Sequence, residues 1–159
     1  MNSTIITNRF SYLSPFMHAV VRLYYLSRWC YLKKIPLLPK LIYYFIRIVF
    51  ACDVKYTADI GENVGFFHNG LGVVIHKNAK IGAGTCLYQN VTIGGNGKPE
   101  AENGIPVIGE NVFIGAGAVI LGPVTIGNNA RIGANSVVLS DVAANTTVVG
   151  SPAKLIHKG

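Results

Sequence analysis

The chain has 159 residues, half of them apolar, and a formal net charge of +7, enough for one domain with a real core and a small appendage. All of the excess charge lies in the first third: residues 1–52 hold seven Lys and Arg and no acid, while from Asp53 onward seven basic residues meet seven acidic ones. No stretch reaches the roughly 20 apolar residues that a bilayer span needs, and no nucleic-acid-binding motif accompanies the charge, so neither a membrane-spanning protein nor a nucleic-acid partner is expected.

The opening "MNSTIITNRF" lacks a basic start leading into an apolar run, so it does not read as a signal peptide. Cys30, Cys52 and Cys86 show neither CxxC nor metal-ligand spacing. Three cysteines without a framework suggest a reducing compartment, hence the cytoplasm, and no metal is expected. Residues 1–52 read as a helical segment: two short amphipathic helices at about 14–33 and 39–51, parted by the breaker "KKIPLLPK". Its favoured use is to cap an open sheet edge. Seven cations with Tyr12, Tyr24, Tyr25, Trp29, Tyr31, Tyr43 and Tyr44 also suit contact with anionic lipid at the inner face of a membrane.

From residue 54 a period of six takes over. Val54, Ile60 and Phe66 form one series, Ile75, Ile81, Leu87 and Ile93 a second, and Ile108, Ile114, Ile120, Ile126, Ile132 and Val138 a third. Glycine often follows the aliphatic residue, and a small or β-branched residue comes four places after it. A helix would drift off this period and an ordinary strand would not single out every sixth residue. A six-residue edge does: one aliphatic points inward, the chain turns a corner, and three edges close a triangular coil. Coils stacked about 4.8 Å apart then carry the aliphatics as internal ladders. The expectation is a mainly β protein, a parallel β-helix over 53–148 with a tail at 149–159.

The period breaks twice. Phe66 to Ile75 is nine residues, three too many, beside His68; Ile93 to Ile108 is fifteen, which extrudes a loop at 94–107. Solenoid insertions cost little and tend to carry function, so both breaks are candidate walls of a site. Asp53 precedes His68 by fifteen residues, close to one coil of eighteen, so the two should share a corner. A carboxylate on one ring nitrogen fixes the tautomer and leaves the other nitrogen as a base; a solvent-facing histidine and an ordinary aspartate stand as the alternative. His76 lies on a regular edge facing outward, His18 and His157 have no supporting motif, and Cys86 sits at a regular repeat position, which favours direct transfer over a covalent enzyme intermediate.

The [LIV]-G-x-x-x-x repeat resembles that of the hexapeptide-repeat acyltransferases, which implies a left-handed parallel β-helix over about 52–156. "CDVKYTADIGENVGFFHNGLGVVIHKNAKIG" and "QNVTIGGNGK" are similar to the serine acetyltransferase branch, whose Asp–His pair activates the acceptor hydroxyl; Asp53 and His68 match that pair. The resemblance implies a homotrimer with acetyl-CoA as co-substrate, its pantetheine arm in a groove between neighbouring β-helices. Gly115, Ala116, Ala134, Leu139 and Ser140 would line the groove, Gly95 and Lys98 would reach toward the thioester, and Lys154 toward the CoA phosphates.

Two departures bear on the acceptor. Serine acetyltransferases carry an acid directly before the histidine and an Arg-His pair before a proline of the loop; here stand Phe67 and Gly104–Ile105. A zwitterion taken from water needs charged partners. The short head also resembles that of capsule, colanic-acid and O-antigen acetyltransferases. The expectation is therefore a saccharide O-acetyltransferase, its acceptor monomeric or lipid-linked, with Phe66, Phe67 and Asn69 against the sugar; serine O-acetylation is the alternative.

Overall fold

A computed structural model describes residues 19–99 and 102–156. Two helices come first, α1 (Ala19–Leu32) and α2 (Leu38–Phe50). They lie within a residue or two of the expected bounds, apart from positions 14–18, which fall outside the described residues. Pro39 sits in the first turn of α2, where a missing N–H costs nothing. Ala51 closes the helix at φ 50° and turns the chain directly into the first strand.

The rest is a left-handed parallel β-helix. Its fifteen short strands, numbered in chain order, fall on three faces. The first face holds β1 (Asp53–Val54), β4 (Val74–Ile75), β7 (Thr92–Gly94), β10 (Val119–Leu121) and β13 (Val137–Val138). The second holds β2 (Asp59–Ile60), β5 (Lys80–Ile81), β8 (Val107–Ile108) and β11 (Thr125–Ile126). The third holds β3 (Gly65–Phe66), β6 (Cys86–Leu87), β9 (Phe113–Ile114), β12 (Arg131–Ile132), β14 (Thr147–Val149) and β15 (Lys154–Leu155).

Parallel register puts the aliphatics directly over one another. Val54, Ile75, Ile93, Ile120 and Val138 make one ladder, Ile60, Ile81, Ile108 and Ile126 a second, and Phe66, Leu87, Ile114, Ile132 and Val148 a third. All are buried, and each large rung removed from water contributes about 1.5–3 kcal/mol. The small residues four places on, including Ala79, Thr85, Ala118, Ala130 and Ser136, are buried too, because a corner folds inward there.

The corners explain the glycines. A Cβ on Gly61 would meet the backbone nitrogen of Ala83 in the next coil at 2.7 Å, so only glycine lets the coils stack at that point. Third after the aliphatic, the chain passes through left-handed conformation. Asn63, Asn90, Asn111, Asn129 and Asn135 supply it at φ between 54° and 59°, residues that tolerate this region better than most.

The first coil has no coil beneath it, and α1 covers its exposed rim. Tyr24 donates to Ala58 O (2.6 Å) and accepts from Ile60 N (3.3 Å). Arg28 donates to Ala58 O (2.5 Å) and to Asp59 Oδ1 (2.5 Å), and the Tyr25 hydroxyl to Gly61 O. These bonds satisfy backbone groups that an open edge would leave unpaired. Helix α2 contributes less to the core: only Pro39 and Ile46 are buried, and Leu41, Phe45 and Ile48 face outward. Val149 continues β14, and β15 folds back antiparallel on it.

Candidate active site

The chain crosses three long edges in each coil. Between the third and first faces it runs through the insertion, where Phe67–Gly70 form a short 3-10 turn. His68 and Asn69 both adopt left-handed conformation there, at φ 54° and 55°. Asparagine tolerates that region, whereas for His68 it costs about 1–2 kcal/mol, a strain of the kind found at functional sites. The turn leaves His68 exposed. The Phe67 ring lies flat on Tyr88, centroids 4.5 Å apart, and Tyr88 packs on Phe113.

Asp53 starts β1 just past this edge. Its amide donates to Val73 O at 2.8 Å, and Gly72 N donates to Ala51 O at 2.9 Å, so the segment after the His68 turn is laced to the entry of β1. The hydrogen bond expected between Asp53 and His68 is not made. Asp53 Oδ1 accepts instead from the Tyr43 hydroxyl at 2.8 Å, and Oδ2 from Arg47 NH1 at 2.6 Å. Arg47 NH1 also donates to Tyr43 Oη at 2.9 Å, which closes a three-membered network on α2. Burial, and then the bond to Asp53, raise the Tyr43 hydroxyl above its ordinary range. The Tyr43 hydrogen bond, and then the charge of Asp53, raise Arg47 further. Burial, reinforced by Asp53, pushes the adjacent Cys52 thiol up to about 12, so it stays protonated and inert.

Sequence missed Tyr43, Arg47 and Tyr88. A faint signal existed for the first two: they are four residues apart on one helix, hence on one face, and Arg47 lies six residues before Asp53.

Three of the expected CoA-lining residues share the His68 edge. Gly115 and Ala116 follow β9, and Ala134 follows β12 one coil further on. A Cβ at Gly115 would lie 2.6 Å from Ala134 N, so this edge has a close-packed backbone surface. Leu139 and Ser140 do not belong to it. They follow β13, on the edge between the first and second faces. Gly95 and Lys98 lie on that same second edge, where the loop leaves β7. The loop is anchored by Asn103, whose Oδ1 accepts from Asn96 N at 2.9 Å, and Gly104 packs against Pro123. His76 is on this edge as well, away from His68, and its Nδ1 accepts from Asn78 N at 3.2 Å. Lys154 is exposed in β15, at the end of the helix.

Two buried carbonyl oxygens beside the His68 edge, Asn69 Oδ1 and Gln89 Oε1, lack hydrogen-bond partners. Among the described residues no three His, Cys, Asp or Glu side chains converge as a metal site, and no helix is long and apolar enough to cross a membrane. His18 and His157 lie outside the described residues.

Residues 105–140 match the family described as bacterial transferase hexapeptide (six repeats). A serine acetyltransferase of Helicobacter pylori is 36% identical over 146 residues, which cover 92% of this chain and 84% of that one. A serine acetyltransferase of Synechococcus elongatus is 39% identical over 132 residues, 83% of this chain and 53% of that one. A solved serine acetyltransferase in complex with CoA superposes with a TM-score of 0.80 at 31% identity, over 91% of this chain and 58% of that one. The chain thus spans little more than half the length of several relatives it matches.

These findings overturn the expected saccharide acetyltransferase of capsule, colanic-acid or O-antigen type, because the relatives are serine acetyltransferases. Phe66, expected against the sugar, is 0% exposed, an inward rung below Leu87, while Phe67 is half-buried with one ring face on Tyr88. Repeat, fold and relatives agree: the chain belongs to the serine acetyltransferase family of hexapeptide-repeat transferases.

Proposed function

We propose that the protein transfers the acetyl group of acetyl-CoA to the side-chain hydroxyl of L-serine, giving O-acetylserine and CoA. The observation that carries this reading is the exposed, left-handed His68 on an edge that the close-packed Gly115–Ala134 surface shares and that Asp53 of β1 borders. One ring nitrogen of His68 accepts the serine hydroxyl proton as the oxygen attacks the thioester carbonyl. The C–S bond then breaks, and the imidazolium returns the proton to the departing thiolate. Such a base is worth about 10²–10⁴-fold in rate. Asp53 is the partner of the other ring nitrogen. A carboxylate has about four acceptor positions, so Tyr43 and Arg47 leave room for the imidazole N–H.

In this reading the pantetheine arm runs up the His68 edge past Gly115, Ala116 and Ala134, where absent or small side chains permit close approach. Gly95, Lys98, Leu139 and Ser140 lie along a different edge, so they would serve the site only from a neighbouring copy. A homotrimer supplies that neighbour at each of its three interfaces. Lys154 is a partner for the CoA phosphates.

Product analysis tests the proposal. Protein, acetyl-CoA and L-serine should yield O-acetylserine by chromatography and mass spectrometry. CoA release without that product would overturn it.

A further inference from the structure

We infer that Arg47 receives the carboxylate of the acceptor amino acid, an inference that rests on the serine reading above. A serine zwitterion needs a cation for its carboxylate close to the base that attacks its hydroxyl. Of the two ion pairs among the described residues, Arg47–Asp53 is the one at the carboxylate assigned to the imidazole. Arg28 is spent on Asp59 and on the Ala58 carbonyl, and Arg131 lies over the Phe113 ring on the third face. Lys98 belongs to the other edge. Arg47 is tied to Asp53, and through Asp53 to the segment that follows the His68 turn.

Its geometry is that of a prepared receptor. NH1 makes both bonds, to Tyr43 Oη at 2.9 Å and to Asp53 Oδ2 at 2.6 Å, and these fix the guanidinium plane. Nε and NH2 have no partner among the described residues, and the side chain is 53% exposed. One side of the guanidinium is therefore held by the protein while the Nε–NH2 edge remains open, the edge that grips a carboxylate through two parallel hydrogen bonds. With NH1 bonded to Tyr43 and Asp53, and Nε and NH2 gripping a second carboxylate, the guanidinium uses four of its five donors. The helix thereby supplies what the loop residues Gly104 and Ile105 have no side chain to supply.

The test compares L-serine with L-serinamide, which keeps the hydroxyl and amine but carries no carboxylate. The wild-type protein should prefer serine. Arg47→Gln should lower kcat/KM for serine relative to serinamide by about 10- to 100-fold, the range for a charged hydrogen-bonded pair, and mainly through KM. Arg47→Lys should recover part of the preference, since the charge returns without the fork. Tyr43→Phe, which frees the guanidinium without removing it, should raise the KM for serine by a smaller factor. A parallel loss on both acceptors would mean that Arg47 only braces Asp53, and would overturn the inference. So would an unaltered serine-to-serinamide preference in Arg47→Gln. Failure of the wild-type protein to acetylate serine would instead overturn the underlying reading, and Arg47 with it.

Discussion

At the scale of single residues, the account turns on a histidine that the fold holds out at a cost. His68 is exposed and makes no hydrogen bond to Asp53 in the structure, so its removal should leave the coils intact. His68→Ala is expected to retain the wild-type circular dichroism spectrum and melting temperature while losing about 10²–10⁴-fold in kcat. A fall in melting temperature of the same variant would point to a structural histidine instead. The position of His68 was legible because a nine-residue step broke a six-residue count. Phe66 was misread against that same count, since the steps that turn Val54 and Ile60 inward turn Phe66 inward as well. The partners of Asp53 were not legible. They come from the packing of α2 against β1, a tertiary contact that no repeat encodes.

At the scale of the elements, the fold is a set of ladders whose rungs are nearly interchangeable, and this made it readable from one period. Ile120 is fully buried between Ile93 and Val138. Ile120→Ala should cost about 2–5 kcal/mol in chemical denaturation, because the rungs above and below are held by their own coils and cannot close the gap. A loss below 1 kcal/mol would show that the ladder relaxes. The helical head was legible as two helices whose favoured use is to cap an open sheet edge, but the contacts that make the cap were not. Its hold on the first coil depends on where Tyr24 and Arg28 meet the Ala58 carbonyl. Tyr24→Phe removes two hydrogen bonds at that rim and should destabilise the protein by about 1–3 kcal/mol.

At the scale of the whole molecule, two consequences follow from burial and from the division of the site between edges. Burial pushes both Tyr24, from 10.0, and Cys52, from 9.0, up to about 12. In the folded chain these groups keep protons that the unfolded chain gives up, so their contribution to stability is complete below pH 9 and is lost as the pH climbs toward about 12. The melting temperature should therefore fall over that window, and less steeply above pH 10 in Tyr24→Phe. A flat profile would contradict the burial of both groups. Because His68 and the 94–107 loop occupy different edges, the proposed site needs more than one copy, and light scattering in solution should give the mass of a trimer. A monomer with full activity would refute the shared site. The central claim is that His68 drives acetyl transfer to serine, and the most direct measurement is the rate of thiol release from acetyl-CoA with and without L-serine, in the wild-type protein and in His68→Ala. The account predicts serine-dependent release that drops at least about 10²-fold in the variant. Release that ignores serine, or a variant as fast as the wild type, would contradict it.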